Sequence, residues 1–146
     1  MNDKNMVYPC GINCYLCIAY QRNKLKSKNK KLKICEGCRN RKESKCIIIN
    51  CQNLENTKSK FCYECIKFPC RRIKQLYTRY KNNYNVDIME NLDIIKNEGL
   101  KHFFDIEYKK WKCSNCDELI CMHKQTENHI CLHCEENKKE NRNNKK

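Results

Sequence analysis

Glycine and proline are scarce in this chain, with three and two of them among 146 residues, and tryptophan occurs once. So few glycines exclude the loops that cradle phosphates, which need several positions where the backbone can come very close to the ligand. Long apolar runs are missing as well. The longest purely aliphatic stretch is Ile47-Ile48-Ile49, far too short to span a bilayer. Residues 1–10 hold no apolar segment of the kind that directs secretion, so the expected location is cytoplasmic and no membrane is expected as a partner. The histidines stand at 102, 123, 129 and 133, which offers few bases to activate a nucleophile. Neither paired catalytic carboxylates nor a thioredoxin-like βαβ setting can be read, so the sequence leans away from an enzyme.

Cysteine, by contrast, is abundant: the chain has 15, an odd number that fits a fully disulfide-bonded protein poorly. Most of them pair as C-x-x-C units: Cys14/Cys17, Cys35/Cys38, Cys62/Cys65, Cys113/Cys116 and Cys131/Cys134. Two cysteines at that spacing turn their sulfurs toward one point and can share a tetrahedral ion. Thiolates holding metal in a cytosolic chain is therefore the preferred reading.

The clearest unit is Cys113-x-x-Cys116 followed by Cys131-x-x-Cys134, the spacing of a zinc ribbon or a related two-knuckle site. Cys121 and His123 lie between the knuckles as candidate substitute ligands; a surface or supporting role is the simpler reading for the histidines. The earlier cysteines, Cys10, Cys14, Cys17, Cys35, Cys38, Cys46, Cys51, Cys62, Cys65 and Cys70, are metal candidates that sequence cannot partition. Economy of loops suggests Cys35 and Cys38 with two later cysteines in one site, and the opening triad with another cysteine in a second. Cys10, Cys14 and Cys17 also have the spacing that holds a 4Fe–4S cluster in radical S-adenosylmethionine enzymes. This chain is too short to build their barrel, but the triad could bind a cluster in another fold. The expected cofactor is zinc, two to three ions, with a 4Fe–4S cluster at the N-terminal module as the alternative.

The formal net charge of +14 points toward nucleic acid. Lysine outnumbers arginine, however, and asparagine and isoleucine are also abundant, a joint bias that A/T-rich codons would produce. Each ion held by four thiolates also leaves a net −2, so three filled sites would lower the total to about +8. Residues 22–33 form a lysine-dense stretch in which Lys24, Lys26, Lys28, Lys30, Lys31 and Lys33 are candidate phosphate contacts. A solvated loop is the simpler explanation, since no aromatic residue interleaves with them.

Between the two cysteine-rich parts the pattern is helical. Ile73, Leu76, Tyr77, Tyr80 and Tyr84 form one apolar stripe, and Asp87 with Glu90 caps a second segment carrying Ile88, Leu92 and Ile95. Gly99 should end that segment, and Leu100, Phe103, Phe104, Tyr108 and Trp111 make a third stripe. Helical spacing makes these aromatic rows core. The expected fold is a small metal-stabilised α+β or mainly α protein. It divides into a cysteine-rich metal-binding module (1–70), a helical segment packing on it (71–112), a zinc-ribbon-like module (113–134) and a disordered basic tail (135–146).

Cys10-Gly11-Ile12-Asn13-Cys14-Tyr15-Leu16-Cys17-Ile18-Ala19-Tyr20, then Cys35-Glu36-Gly37-Cys38, Cys46 and Cys51, then Cys62-Tyr63-Glu64-Cys65-Ile66-Lys67-Phe68-Pro69-Cys70, resemble an uncharacterised prokaryotic cysteine-rich family, DUF3795. Its members open with CGxxCxxCxxY, continue with CxGC and close with CxxCxxFPC. The resemblance extends over about residues 8–112 and implies metal binding, presumed to be of zinc, with no activity to carry over. The resulting expectation is a cytosolic zinc-binding protein, most simply a non-catalytic interaction module whose partner is a protein or nucleic acid. An iron–sulfur redox or metal-sensing protein using the N-terminal triad is the alternative.

Overall fold

The computed structural model describes residues 3–26, 31–41, 43–125 and 129–143. Four α-helices carry the architecture: α1 (Ile18–Lys24), α2 (Arg71–Tyr84), α3 (Ile88–Trp111) and α4 (Leu132–Asn143). Short 3₁₀ turns fill the cysteine-rich segment before α2. Of the expected α+β or mainly α fold, the helical version holds. Among the described residues the β contribution is two isolated bridges, Val7 with Asn13 and Lys112 with Leu119.

The helical stripes read from the sequence form as helices, and local signals set their ends. Asn85 takes the left-handed conformation that closes α2, its N–H bonding back to Lys81 and Tyr80 carbonyls. Asp87 then opens α3, its carboxylate accepting the Met89 and Glu90 N–H groups at 3.1 and 3.0 Å. Gly99, with φ 88° and ψ 168°, breaks α3 into two limbs where the pattern placed a helix end. Its backbone lies where side-chain-bearing residues rarely go, yet a Cβ there would meet nothing within 4 Å. The helix α4 runs through the first part of the stretch expected to be a disordered tail.

One buried cluster extends from Met6 to Cys134. Leu16, Phe61, Ile73, Ile88, Leu92, Phe103, Phe104 and Met122 are its most enclosed large side chains, so the second and third stripes supply core as their spacing implies. The Tyr77, Tyr80 and Tyr84 rings of the first stripe are only partly covered. Backbone and amide hydrogen bonds tie the two cysteine-rich ends together: Met122 N–H donates to the Leu16 carbonyl at 2.9 Å. The buried Gln21 amide donates to the carbonyls of Tyr15 (2.9 Å) and Leu119 (3.3 Å).

Two polar side chains from α3 lie inside this core. The Asn91 amide donates to the Gly11 carbonyl at 2.9 Å, and Glu107 accepts from the Asn13 amide at 3.3 Å. Burial pushes the Glu107 carboxyl above its ordinary range, more than the Asn13 and Trp111 donors and nearby Lys110 pull it down. A carboxyl raised on folding adds stability below its unfolded pKa and loses it as pH rises through the folded value. Glu107→Gln removes that titration. In paired urea melts, wild type should therefore lose stability relative to the variant as pH rises from the ordinary carboxylate range; a flat or opposite difference would contradict the burial argument. For Gly99→Ala the expected loss is about 1–3 kcal/mol in the same assay, from backbone strain and not from a clash.

Candidate metal centre

The C-terminal cysteines converge because three short segments meet there. The Cys113 N–H bonds to the Glu118 carbonyl and the Ile120 N–H to the Trp111 carbonyl, both at 2.8 Å, which folds residues 111–120 back on themselves. Cys131 and Cys134 arrive from the start of α4. All four sulfurs of Cys113, Cys116, Cys131 and Cys134 lie within 4.8 Å of one another. Cys113 and Cys134 sulfurs are 3.9 Å apart, and Cys116 is 3.5 Å from both Cys131 and Cys134. A tetrahedral ion with sulfur ligands at about 2.3 Å would set them about 3.8 Å apart, so the donor set and its spacing fit one ion. The cluster can hold a metal.

Its surroundings favour thiolates. Cys113 Sγ accepts the N–H groups of Asn115 (3.5 Å) and Cys131 (3.4 Å), and the Asn115 amide donates to Cys134 Sγ at 3.3 Å. Burial works to raise the Cys113 thiol, but these backbone donors outweigh it and bring its pKa down to about 6. Burial keeps Cys116 and Cys131 raised. The Cys113 sulfur is thus ready to lose its proton first, and Cys116 and Cys131 need a cation's charge to follow it.

Cys121 and His123 take no part in this cluster. Cys121 is buried in the core, and burial raises its thiol. His123 Nδ1 accepts the Ile18 N–H at 3.4 Å, and its ring packs edge-on against Tyr84 with centroids 4.7 Å apart.

Among the described residues no second group of three or more candidate ligands closes to 4.8 Å. The opening triad is therefore not gathered at one point. Cys14 instead meets Cys38, whose N–H donates to Cys14 Sγ at 3.4 Å. Hydrogen bonding to Cys14 and then burial raise the Cys38 thiol. Burial, and after it the charges of Cys38 and Cys35, raise the Cys17 thiol. Gly37, at φ 104°, makes the turn that presents Cys38. Cys10 is fully buried, and Cys46 lies in its field and in that of Tyr8. Cys51, Cys62, Cys65 and Cys70 border a single cavity at the start of α2.

Of the lysine stretch, Lys24 pairs with Glu118 at 2.6 Å, Lys26 and Lys33 are exposed, and Lys28 and Lys30 lie outside the described residues. One residue the sequence did not mark is Arg39. Its Nε donates to the Val7 carbonyl (2.8 Å), its Nη2 to the Lys60 carbonyl (3.0 Å), and it lies 5.0 Å from the centre of the Phe61 ring. Burial lowers its pKa, and the charges of Cys14, Cys10 and Cys62 oppose that shift. An arginine one residue beyond a C-x-x-C unit gave no signal of its own, because its role depends on a fold that brings distant thiols around it.

Residues 6–75 match the model of a family described as Protein of unknown function (DUF3795). The resemblance carried by the motifs thus holds over that segment; the match stops inside α2, short of residue 112, and the C-terminal cluster lies beyond it. No curated protein and no solved structure matches the chain.

Trp111, the single tryptophan, is 6 % exposed and two residues from Cys113, so it reports on this centre. Cys134→Ser, or a strong chelator on the wild type, should shift its fluorescence to the red as the segment opens. An unchanged spectrum would mean that the cluster does not depend on an ion.

Proposed function

We propose that the chain is a zinc-stabilised, non-catalytic binding module that docks a nucleic-acid backbone on the outer face of α2. The observation that carries this reading is the composition of that helix. Arg71, Arg72, Lys74, Arg79 and Lys81 lie along it, and it contains no acidic residue. Ile73 is buried and Leu76, Tyr77, Tyr80 and Tyr84 are partly covered, which turns the arginines outward with Gln75, Thr78 and Asn82 among them. Lys81 is tied to Asp87 at 3.3 Å, leaving Arg71, Arg72, Lys74 and Arg79 as the phosphate contacts. The codon bias that explains abundant lysine does not explain three arginines on one helix face.

Zinc is favoured for the C-terminal centre because sulfurs 3.5–3.9 Å apart leave room for a single tetrahedral ion. Four protein ligands leave no open position for water or substrate, which supports a structural role. A compact scaffold of this kind, in the cytosol, would hold α2 rigidly against a partner.

Titrating a fluorescent duplex at increasing salt tests the reading. Four phosphate contacts predict a log–log slope of about −3 to −4. Arg71→Ala, Arg72→Ala and Arg79→Ala should each flatten the slope by about one. Absent or salt-insensitive binding would remove nucleic acid as the partner. A brown preparation containing iron and acid-labile sulfide would remove zinc.

A further inference from the structure

The cavity bordered by Cys51, Cys62, Cys65 and Cys70 is separate from the C-terminal cluster, and nothing in the centre described above uses it. Its volume is about 40 Å³, room for an ion or a few waters and little more. Its other walls include the buried residues Ile48, Leu54 and Ile73. We propose that these four cysteines hold a second tetrahedral ion of a thiophilic divalent metal such as Zn²⁺, so that the family-matched segment carries a metal site of its own.

The local backbone supports this. Cys62 begins a 3₁₀ turn, and the Cys65 N–H returns to the Cys62 carbonyl at 3.1 Å. The Cys14/Cys17 unit repeats that turn: Cys17 N–H bonds to the Cys14 carbonyl at 3.0 Å. The second cysteine has nearly the same dihedrals in each, φ −78° and ψ 132° at Cys17, φ −70° and ψ 133° at Cys65. The same turn thus sets the two cysteines of each pair at its two ends.

The other two ligands arrive from fixed points. Cys51 stands immediately before the turn at Gln52–Leu54, and Cys70 is the N-cap of α2. At a helix N-terminus a thiolate is stabilised by the free N–H groups. All four cysteines line the one cavity, which places their thiols in one neighbourhood. These sulfurs are not all within 4.8 Å of one another, as those of the C-terminal cluster are. Ligation would draw them inward by side-chain rotation into the cavity they already line.

The proposal rests on the thiolate–metal reading of this chain but not on the C-terminal centre. The test keeps the two apart by reading each cysteine separately. Native full-length protein is alkylated before and after treatment with a chelator, and each cysteine is scored by mass spectrometry. Cys51, Cys62, Cys65 and Cys70 should be protected until the chelator acts. Metal analysis gives a second readout: Cys62→Ser/Cys70→Ser should lose one zinc equivalent per chain. Alkylation of the four that is indifferent to chelator overturns the proposal, as does an unchanged zinc content in the double variant. Iron with sulfide at these residues also overturns it. Protection at this site with none at Cys113, Cys116, Cys131 and Cys134 would reject the C-terminal reading and leave this one standing.

Discussion

Sulfurs held 3.5–3.9 Å apart cannot all ionise without a cation among them. Around Cys113 the N–H donors of Asn115 and Cys131 make the first deprotonation easy, and burial makes those of Cys116 and Cys131 hard. The same four side chains therefore oppose compaction as thiolates alone and enforce it with an ion at their centre. An ion bound there would convert that repulsion into cohesion and add to what the apolar core supplies. It would bind α4 to the 111–120 fold-back directly, since Cys131 and Cys134 sit at the head of that helix.

The helical part was legible because its signals are local. Stripes of Ile, Leu and aromatic residues at helical spacing, the Asp87 cap and the break at Gly99 each act within a few residues, and each appears where the sequence places it. The C-terminal ligand set was legible for a similar reason: two knuckles with a short gap leave few ways to combine. The N-terminal cysteines were not. Their partners are chosen by long-range packing, through the Cys38–Cys14 contact and the cavity at the start of α2, and spacing alone carries none of that information. The turn at Gly37 and the return of the chain to Cys14 cannot be costed from loop length, so loop economy is a weak guide to which of these sulfurs meet.

Charge tells a comparable story. The lysine-dense stretch drew attention by count, yet Lys24 is neutralised by Glu118. The face of α2 has fewer cations but no acid within the helix to cancel them. Which cations share a surface, and which have a counter-ion, is decided by three-dimensional placement. Arg39 illustrates the inward version of the same point: its guanidinium is spent on the Val7 and Lys60 carbonyls and on the thiols around it.

The hydrogen bonds from Met122 to Leu16 and from Gln21 to Leu119 join parts of the chain that lie on either side of the boundary at residue 75. Leu16, Phe61 and Ile73, inside the matched segment, share one buried cluster with Phe103, Phe104 and Met122 outside it. The matched segment is therefore one side of a shared core: cut at residue 75, the chain would leave Leu16, Phe61 and Ile73 without the apolar cover that Phe103, Phe104 and Met122 give them.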